Sequence, residues 1–315
     1  MKRIIAIIGT LCVMAAGSYA QGVSEVGIGL GINEFMGDLG RKNPKGNTYF
    51  DNITAAMTKP AGTFFYSYSC NQRFTVKIAF TGTENAGNDA MANTTKYQDD
   101  GWFRQYRNLN FRSKVLELTA MGQLNILKYS PGSMKYRWTP YVTAGVGVFY
   151  FDPKTEYQGQ WIALQPLGTE GQGLPQFPDR KKYSLVQPDI PIGVGVKFNV
   201  NHAFAVGVEF THRVCFTDYL DDVSKTYVSL QDFVSYYGEA KGTMIYNISR
   251  RSQEIDPEGH YGTITGPGQP RGNPNSNDSW ATTVVTLTYN LSKITLREHN
   301  AFGNRRVKRY RRVFH

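Results

Sequence analysis

The histidines are the first residues to examine for catalysis or metal binding. There are five, spread along the chain: His202, His212, His260, His299 and His315. None has metal-ligand spacing with Cys, Asp or Glu, and the chain lacks a Gly-x-Ser-x-Gly elbow. An acyl hydrolase built on a barrel wall needs a Ser and a His that meet, and His212 has no evident partner. We therefore expect no catalytic residue, no metal site, no cofactor and no enzymatic activity.

A short acidic run is the next candidate, for cation binding. Asp218, Asp221 and Asp222 stand close together. The segment lacks the ligand spacing and the glycine of a calcium-binding loop, so the sequence does not predict a cation site there.

Four charged residues interrupt segments that are otherwise apolar on alternate positions: Lys77, Glu117, Lys197 and Glu209. A charge removed from water must be paired or solvated. We expect these lysines and glutamates to form a charge network inside the protein. A structural role is favoured over transport. The segments that carry these charges are predicted below to be strands of an eight-stranded barrel, whose interior is only wide enough for side chains to fill.

The elements that would position these residues are β-strands, because period-two alternation of apolar residues occurs eight times. The predicted strands cover about 24–33, 62–69, 74–82, 113–127, 136–151, 190–200, 203–213 and 281–291. No segment after the first twenty residues is apolar enough for a membrane helix. The predicted fold class is all-β, as an eight-stranded antiparallel transmembrane barrel.

A soluble β-sandwich would also alternate, and the lengths of the connections separate the two interpretations. Short turns lie around Asn71, Ser130 and Asn201, whereas the connections at about 34–59, 83–112, 152–189 and 214–280 are long. Short turns at one end and long loops at the other are typical of bacterial outer-membrane barrels. The predicted location is the outer membrane of a Gram-negative bacterium, with short periplasmic turns, long outer loops and membrane lipid as a contact.

Aromatic residues at the strand ends support the same interpretation, because membrane barrels carry aromatic girdles at both interfaces. Tyr68, Phe74, Trp138, Phe198, Phe204 and Tyr289 fall near the short turns, and Phe80, Tyr150 and Phe210 near the long loops. A sandwich core does not predict this placement.

The two ends of the chain differ from the barrel between them. Residues 1–20 read as a signal peptide, with Lys2 and Arg3 before a short apolar run and Ala20 before the expected cut. The barrel would then span 21–291. Residues 292–315 form a basic tail with eight Lys and Arg against one Glu, in a chain of net charge +10. With an even number of strands this tail is periplasmic, where it would bind an acidic partner or lipid phosphates but not nucleic acid.

The tail and the short turns supply the candidate partner-binding residues: Arg305, Arg306, Lys308, Arg309, Arg311, Arg312, Asn71, Ser130 and Asn201. Cys70 and Cys215 would remain after cleavage, at opposite ends of the barrel. We expect no disulfide between them, since a disulfide needs Cα atoms within about 7 Å.

Five motifs resemble the PorG family of outer-membrane barrels in the type IX secretion system. They lie at 37–40 (GDLG), 140–151 (PYVTAGVGVFYF), 167–173 (LGTEGQG), 191–197 (PIGVGVK) and 216–224 (FTDYLDDVS). The resemblance implies a non-enzymatic barrel that associates with a periplasmic ring of the lipoprotein PorK and its partner PorN. Cargo would leave through a separate and larger barrel.

Two other functions remain open on the sequence. One is a free-standing barrel whose long outer loops bind a surface ligand, and the other is a lipid-modifying barrel enzyme.

Overall fold

A computed structural model describes residues 22–39, 57–94 and 96–292. The predicted signal peptide and nearly all of the basic tail therefore lie outside the described residues. The described residues contain nine strands: β1 (Val23–Met36), β2 (Lys59–Ser69), β3 (Phe74–Asn88), β4 (Asn110–Asn125), β5 (Trp138–Tyr157), β6 (Gln160–Ala163), β7 (Val186–Asn199), β8 (Phe204–Cys215) and β9 (Ser279–Asn290).

Eight of these strands close into an antiparallel barrel. Each pairs with its neighbours in sequence order, β1 pairs with β9 and β4 pairs with β5. The short β6 only extends β5 as a hairpin outside the closed ring. The predicted eight-stranded barrel is confirmed.

Alternation sorts the side chains of every strand between an outer and an inner face. Leu30, Val146 and Val285 point outward and are 71%, 63% and 62% exposed. The opposite positions of the same strands are small or polar and largely buried, as at Thr143 and Thr286. An apolar outer band of this extent is unfavourable in water and favourable in lipid. The barrel is therefore built to span a membrane by its strands.

The turns at one end are short because their side chains organise the backbone. The Asn71 carboxamide oxygen accepts the N–H groups of Arg73 and Phe74, and Asn201 does the same for Ala203 and Phe204. Such Asx turns reverse the chain within a few residues. Both termini of the barrel wall, at β1 and β9, lie at this end.

At the other end the strands are longer than the sequence predicted. β3 continues to Asn88 rather than ending at Gly82, and β5 continues to Tyr157 rather than to Phe151. Two large aromatic side chains, Phe111 and Phe149, are buried on the inner face of the upper strand segments. These upper segments contact protein on their inner side, so the alternation that marks a lipid-facing strand is no longer required.

The long connections fold into a cap, formed by residues 37–39, 89–94, 96–109, 164–185 and 216–278. It contains α1 (Asp100–Arg107), α2 (Leu230–Tyr237) and α3 (Glu239–Ser249). Asp99 and Ser229 cap the first two helices through their side chains. No helix within 22–39, 57–94 and 96–292 has both the length and the hydropathy to cross a membrane.

One hydrophobic core joins the cap to the upper barrel. Phe151 and Trp280 enter it from the strands, and Leu220, Phe233 and Ile245 enter it from the cap. All five are fully buried. The region predicted as a loop at 214–280 is therefore an ordered lid on the barrel.

Candidate functional site

The charged residues of the lumen divide into three groups, and the first is an ion pair. Lys77 Nζ lies 2.5 Å from Glu209 Oε2, and the Tyr141 hydroxyl donates to the same carboxylate at 2.8 Å. The Lys77 ammonium also lies 5.6 Å from the centre of the Phe65 ring. The pair spans the barrel from β3 to β8, so it braces opposite walls.

Glu117 does not join the lysines. It forms a bidentate pair with Arg213, with both N–O distances at 3.0 Å, and the guanidinium stacks on Trp280 at 4.1 Å. The sequence interpretation missed Arg213. The available signal was its position in β8, since Glu209, Thr211 and Arg213 alternate onto the same inner face.

Lys197 lies against two aromatic rings. Its ammonium lies 4.4 Å from the ring centre of Tyr129 and 5.4 Å from that of Tyr141. Glu25 and Lys197 line the same internal cavity. The four predicted residues thus all lie in the lumen. Tyr141 contacts both Lys197 and Glu209, and Glu117 pairs with Arg213.

The space left between these side chains is small. The lumen cavity measures about 50 Å³, and one water needs roughly 10–15 Å³ by this measure. It has room for a few waters and offers no path for a polypeptide.

The cap is held by a buried polar cluster that joins two of the sequence motifs. Glu170 accepts the N–H groups of Ser224 and Lys225 at 2.9 and 3.0 Å, and pairs with Arg271 at 3.1 Å. Asp222 accepts a hydrogen bond from the Tyr183 hydroxyl at 2.7 Å. These bonds give the acidic residues of segments 167–173 and 216–224 a structural role, whereas Arg271 lies outside every motif and was not predicted.

The short acidic run at 218–222 also joins separate segments of the cap. Asp221 accepts the N–H groups of Leu39 and Val223, both at 3.0 Å, and Asp278 accepts that of Leu220 at 2.9 Å. These carboxylates therefore fix one connection to another. Within the described ranges no three acidic, His or Cys side chains are arranged to hold a metal ion.

Burial raises the pKa values of the acids in the cap. Removal from water raises the pKa of Asp218 to about 7, aided by the charges of Asp38 and Glu170. It raises that of Asp222 to about 6, with Arg271 acting in the opposite direction. The cap is thus sensitive to pH near neutrality.

The short-turn end of the barrel is basic, unlike the acidic cluster of the cap. It carries four cationic side chains, here called the basic rim: Arg73, Lys128, Lys135 and Arg137. The turns at 70–73, 126–137 and 200–203 contain no Asp or Glu. Arg137 lies over the Phe198 ring at 4.4 Å, and the other three are exposed.

The predicted partner-binding residues of the turns are placed at this same end. Asn71 and Asn201 organise two of the turns. The carbonyl of Ser130, in the third, accepts a hydrogen bond from Asn199 at 2.9 Å. The predicted tail residues Arg305, Arg306, Lys308, Arg309, Arg311 and Arg312 lie outside the described residues. Cys70 and Cys215 lie at opposite ends of the barrel and form no disulfide with each other.

A protein-family model described as a domain of unknown function (DUF6089) matches residues 2–238, which is most of the chain. The chain belongs to this family. No curated protein matches this DUF6089 member.

Several solved outer-membrane barrels are similar in strand arrangement. Ail, the attachment invasion locus protein of Yersinia pestis, is 11% identical with a TM-score of 0.38, covering 86% of this chain and all of Ail. Neisserial surface protein A is 7% identical with a TM-score of 0.34, covering 85% and 95%. OprG of Pseudomonas aeruginosa is 9% identical with a TM-score of 0.31, covering 85% and 96%. The assignment of an eight-stranded barrel rests on the strand pairing itself.

Proposed function

We propose that this DUF6089 protein is a non-enzymatic outer-membrane component of the type IX secretion machine, anchored to the periplasmic PorK and PorN ring. Two lines support the proposal. The motifs at 37–40, 140–151, 167–173, 191–197 and 216–224 resemble those of the PorG family. The second line of support is the basic rim at the short-turn end. The docking step of the proposal rests on this observation.

The basic rim suits a docking surface for an acidic partner. Its four cations face the same side with no acidic residue in the intervening turns, so their fields add. The chain leaves β9 at this end, and the eight cations of the basic tail begin just beyond residue 292. The proposal places the tail on the same side of the membrane as the rim, where the two would add their positive charge.

The lumen supports an anchoring role over a conducting one. Lys77 with Glu209 and Glu117 with Arg213 cross the interior, and the cap covers the opposite mouth. A machine component with this interior would position other subunits, while cargo crosses elsewhere.

The proposal is tested by neutralising the basic rim in the full-length protein. A variant with Arg73, Lys128, Lys135 and Arg137 all changed to Gln should lose most of its PorK and PorN in a mild-detergent purification. The loss should deepen when the chain is also ended after Ser292. The matched control changes four cap cations, Lys96, Lys181, Lys182 and Lys241, to Gln. Full recovery of the ring with the rim and tail variant would contradict the docking proposal.

The alternative is a free-standing barrel whose outer loops bind a surface ligand. A concave site on the cap, lined by Trp102 and Tyr261, favours this alternative. Native purification separates the two functions, because a free-standing receptor would come without ring proteins. Lipid A mass spectrometry of a deletion strain tests the proposed lack of enzymatic activity.

A further inference from the structure

An open pocket on the outer surface of the cap has a preformed polar and aromatic lining. It measures about 560 Å³, within the range of small-molecule sites. One wall is α1, with Trp102 and Tyr106, and the other is the segment 255–261, with Asp256 and Tyr261. We call it the aromatic pocket.

Both walls are fixed without a ligand. The Asp99 carboxylate caps α1 by accepting the N–H of Trp102 at 2.8 Å, and Arg107 ties the end of α1 to Asp89 at 2.7 Å. Asp256 accepts the N–H of Tyr261 at 2.8 Å and the hydroxyl of Tyr106 at 3.1 Å, which joins the two walls. A site fixed in advance loses little conformational entropy on binding.

Aromatic rings form one side of the aromatic pocket. Trp102 stacks on Tyr106 with centroids 5.4 Å apart and planes 3° apart, and Tyr261 stands at 84° to both. Tyr261 is 37% exposed to water. Trp102 is partly exposed, whereas Tyr106 is buried against it. The rings that a ligand can reach are therefore those of Trp102 and Tyr261, and aromatic side chains that line a concave site are a frequent mark of ligand binding.

The polar groups of the aromatic pocket define the chemistry of the occupant. Gln105 and Asn108 contribute amides whose nitrogens donate to Ala92 O at 2.8 Å and to Glu254 at 3.0 Å. Their oxygens are suited to accept hydroxyl donors. No Lys or Arg belongs to the lining, and hydrogen bonds from the backbone of Tyr261 and from His260 lower the pKa of Asp256 to about 2. An anionic ligand is therefore disfavoured.

We infer that the aromatic pocket binds one uncharged sugar unit of a surface glycan. The C–H face of a pyranose carries partial positive charge and packs on electron-rich ring faces. Its hydroxyl groups would donate to the amide oxygens of Gln105 and Asn108. The site is independent of the docking proposal, since it lies at the opposite end of the barrel.

The experiment titrates the full-length protein in detergent with methyl glycosides of glucose, galactose, mannose and N-acetylglucosamine, followed by saturation-transfer NMR and calorimetry. At least one should bind, and Trp102→Ala and Tyr261→Ala should each weaken binding about tenfold or more, because each removes one ring surface. Tyr236→Ala is the matched control, since Tyr236 is an exposed ring of α2 outside the lining. Unchanged resistance of each variant to trypsin verifies that the cap is intact.

Three outcomes would overturn the inference. The first is the absence of binding by all four glycosides. The second is binding that survives both Trp102→Ala and Tyr261→Ala. The third is stronger binding of glucuronate than of methyl glucoside, because ionised Asp256 opposes a carboxylate.

Discussion

At the scale of single residues, the inner face is specified by size as much as by charge. Period-two alternation places Gly145 inward in β5, next to its β4 partner Met121. A Cβ atom built at Gly145 would lie 2.1 Å from the backbone oxygen of Ala120. Alternation indicates the direction of a side chain but not the distance to the neighbouring strand, so this requirement for glycine was not visible in the sequence.

Gly145→Ala should therefore destabilise the barrel by about 1–3 kcal/mol, the usual cost of overpacking. The measurement is the urea midpoint of the heat-modifiable folded form on gels. Gly62→Ala is the control, since an added Cβ there meets only Leu30, at 4.0 Å. Equal midpoints for the two variants would show that the strands shift to accommodate the methyl group.

For the charged residues of the lumen, the sequence predicted the face of the strand but not every partner. The sequence showed that Lys77, Glu117, Lys197 and Glu209 face inward, because alternation decides the face. It did not show that Glu117 pairs with Arg213, because partners across a barrel depend on the register and shear of strands distant in sequence.

At the scale of elements, the cap is the part of the fold that the sequence predicted least. Strands have a simple period, whereas the cap is fixed by irregular contacts such as Glu170 with Arg271, which are 101 residues apart. The motif segments at 167–173 and 216–224 were recognisable, yet their role in joining loops required the three-dimensional arrangement. The upper strand ends were missed for the same reason, since they pack on the cap rather than on lipid.

The pKa of Asp218 makes the cap respond to pH. Its folded value of about 7 lies above the ordinary 3.8, so the folded cap binds the proton more tightly than the unfolded segment. The stabilisation is fully present below about pH 4 and is lost as the pH rises through 7. Hydrogen exchange at 216–224, corrected for intrinsic rates, should be slower at pH 5 than at pH 8.

Asp218→Asn supplies the matched variant for this prediction, because a neutral amide cannot titrate. Its exchange at 216–224 should vary less between pH 5 and 8, with Asp222 retaining a smaller dependence through its pKa of about 6. A wild-type cap that is better protected at pH 8 would reverse the sign and refute the assignment.

At the scale of the whole molecule, the interior of the barrel is blocked at two levels along its axis. The cap covers the outer mouth through the core around Phe233 and Trp280, and the ion pairs of Lys77 and Arg213 fill the middle. Either layer alone would block a polypeptide, but only the inner layer belongs to the barrel wall itself. The two layers can be separated because Thr226 and Pro270 are bridged neighbours at the base of the helical part of the cap.

Replacing residues 227–269 by a short Gly-Ser linker removes α2 and α3 while keeping all eight strands of the ring. The variant should still give the heat-modifiable band of a folded barrel, since no strand pairing is lost. Its conductance in a planar bilayer should stay far below that of a porin, because the remaining lumen cavity of about 50 Å³ admits only a few waters. Wild type and a general porin serve as the two references. A large, stable conductance in the variant would mean that the cap alone seals the protein, and the anchoring role would then compete with that of a gated pore.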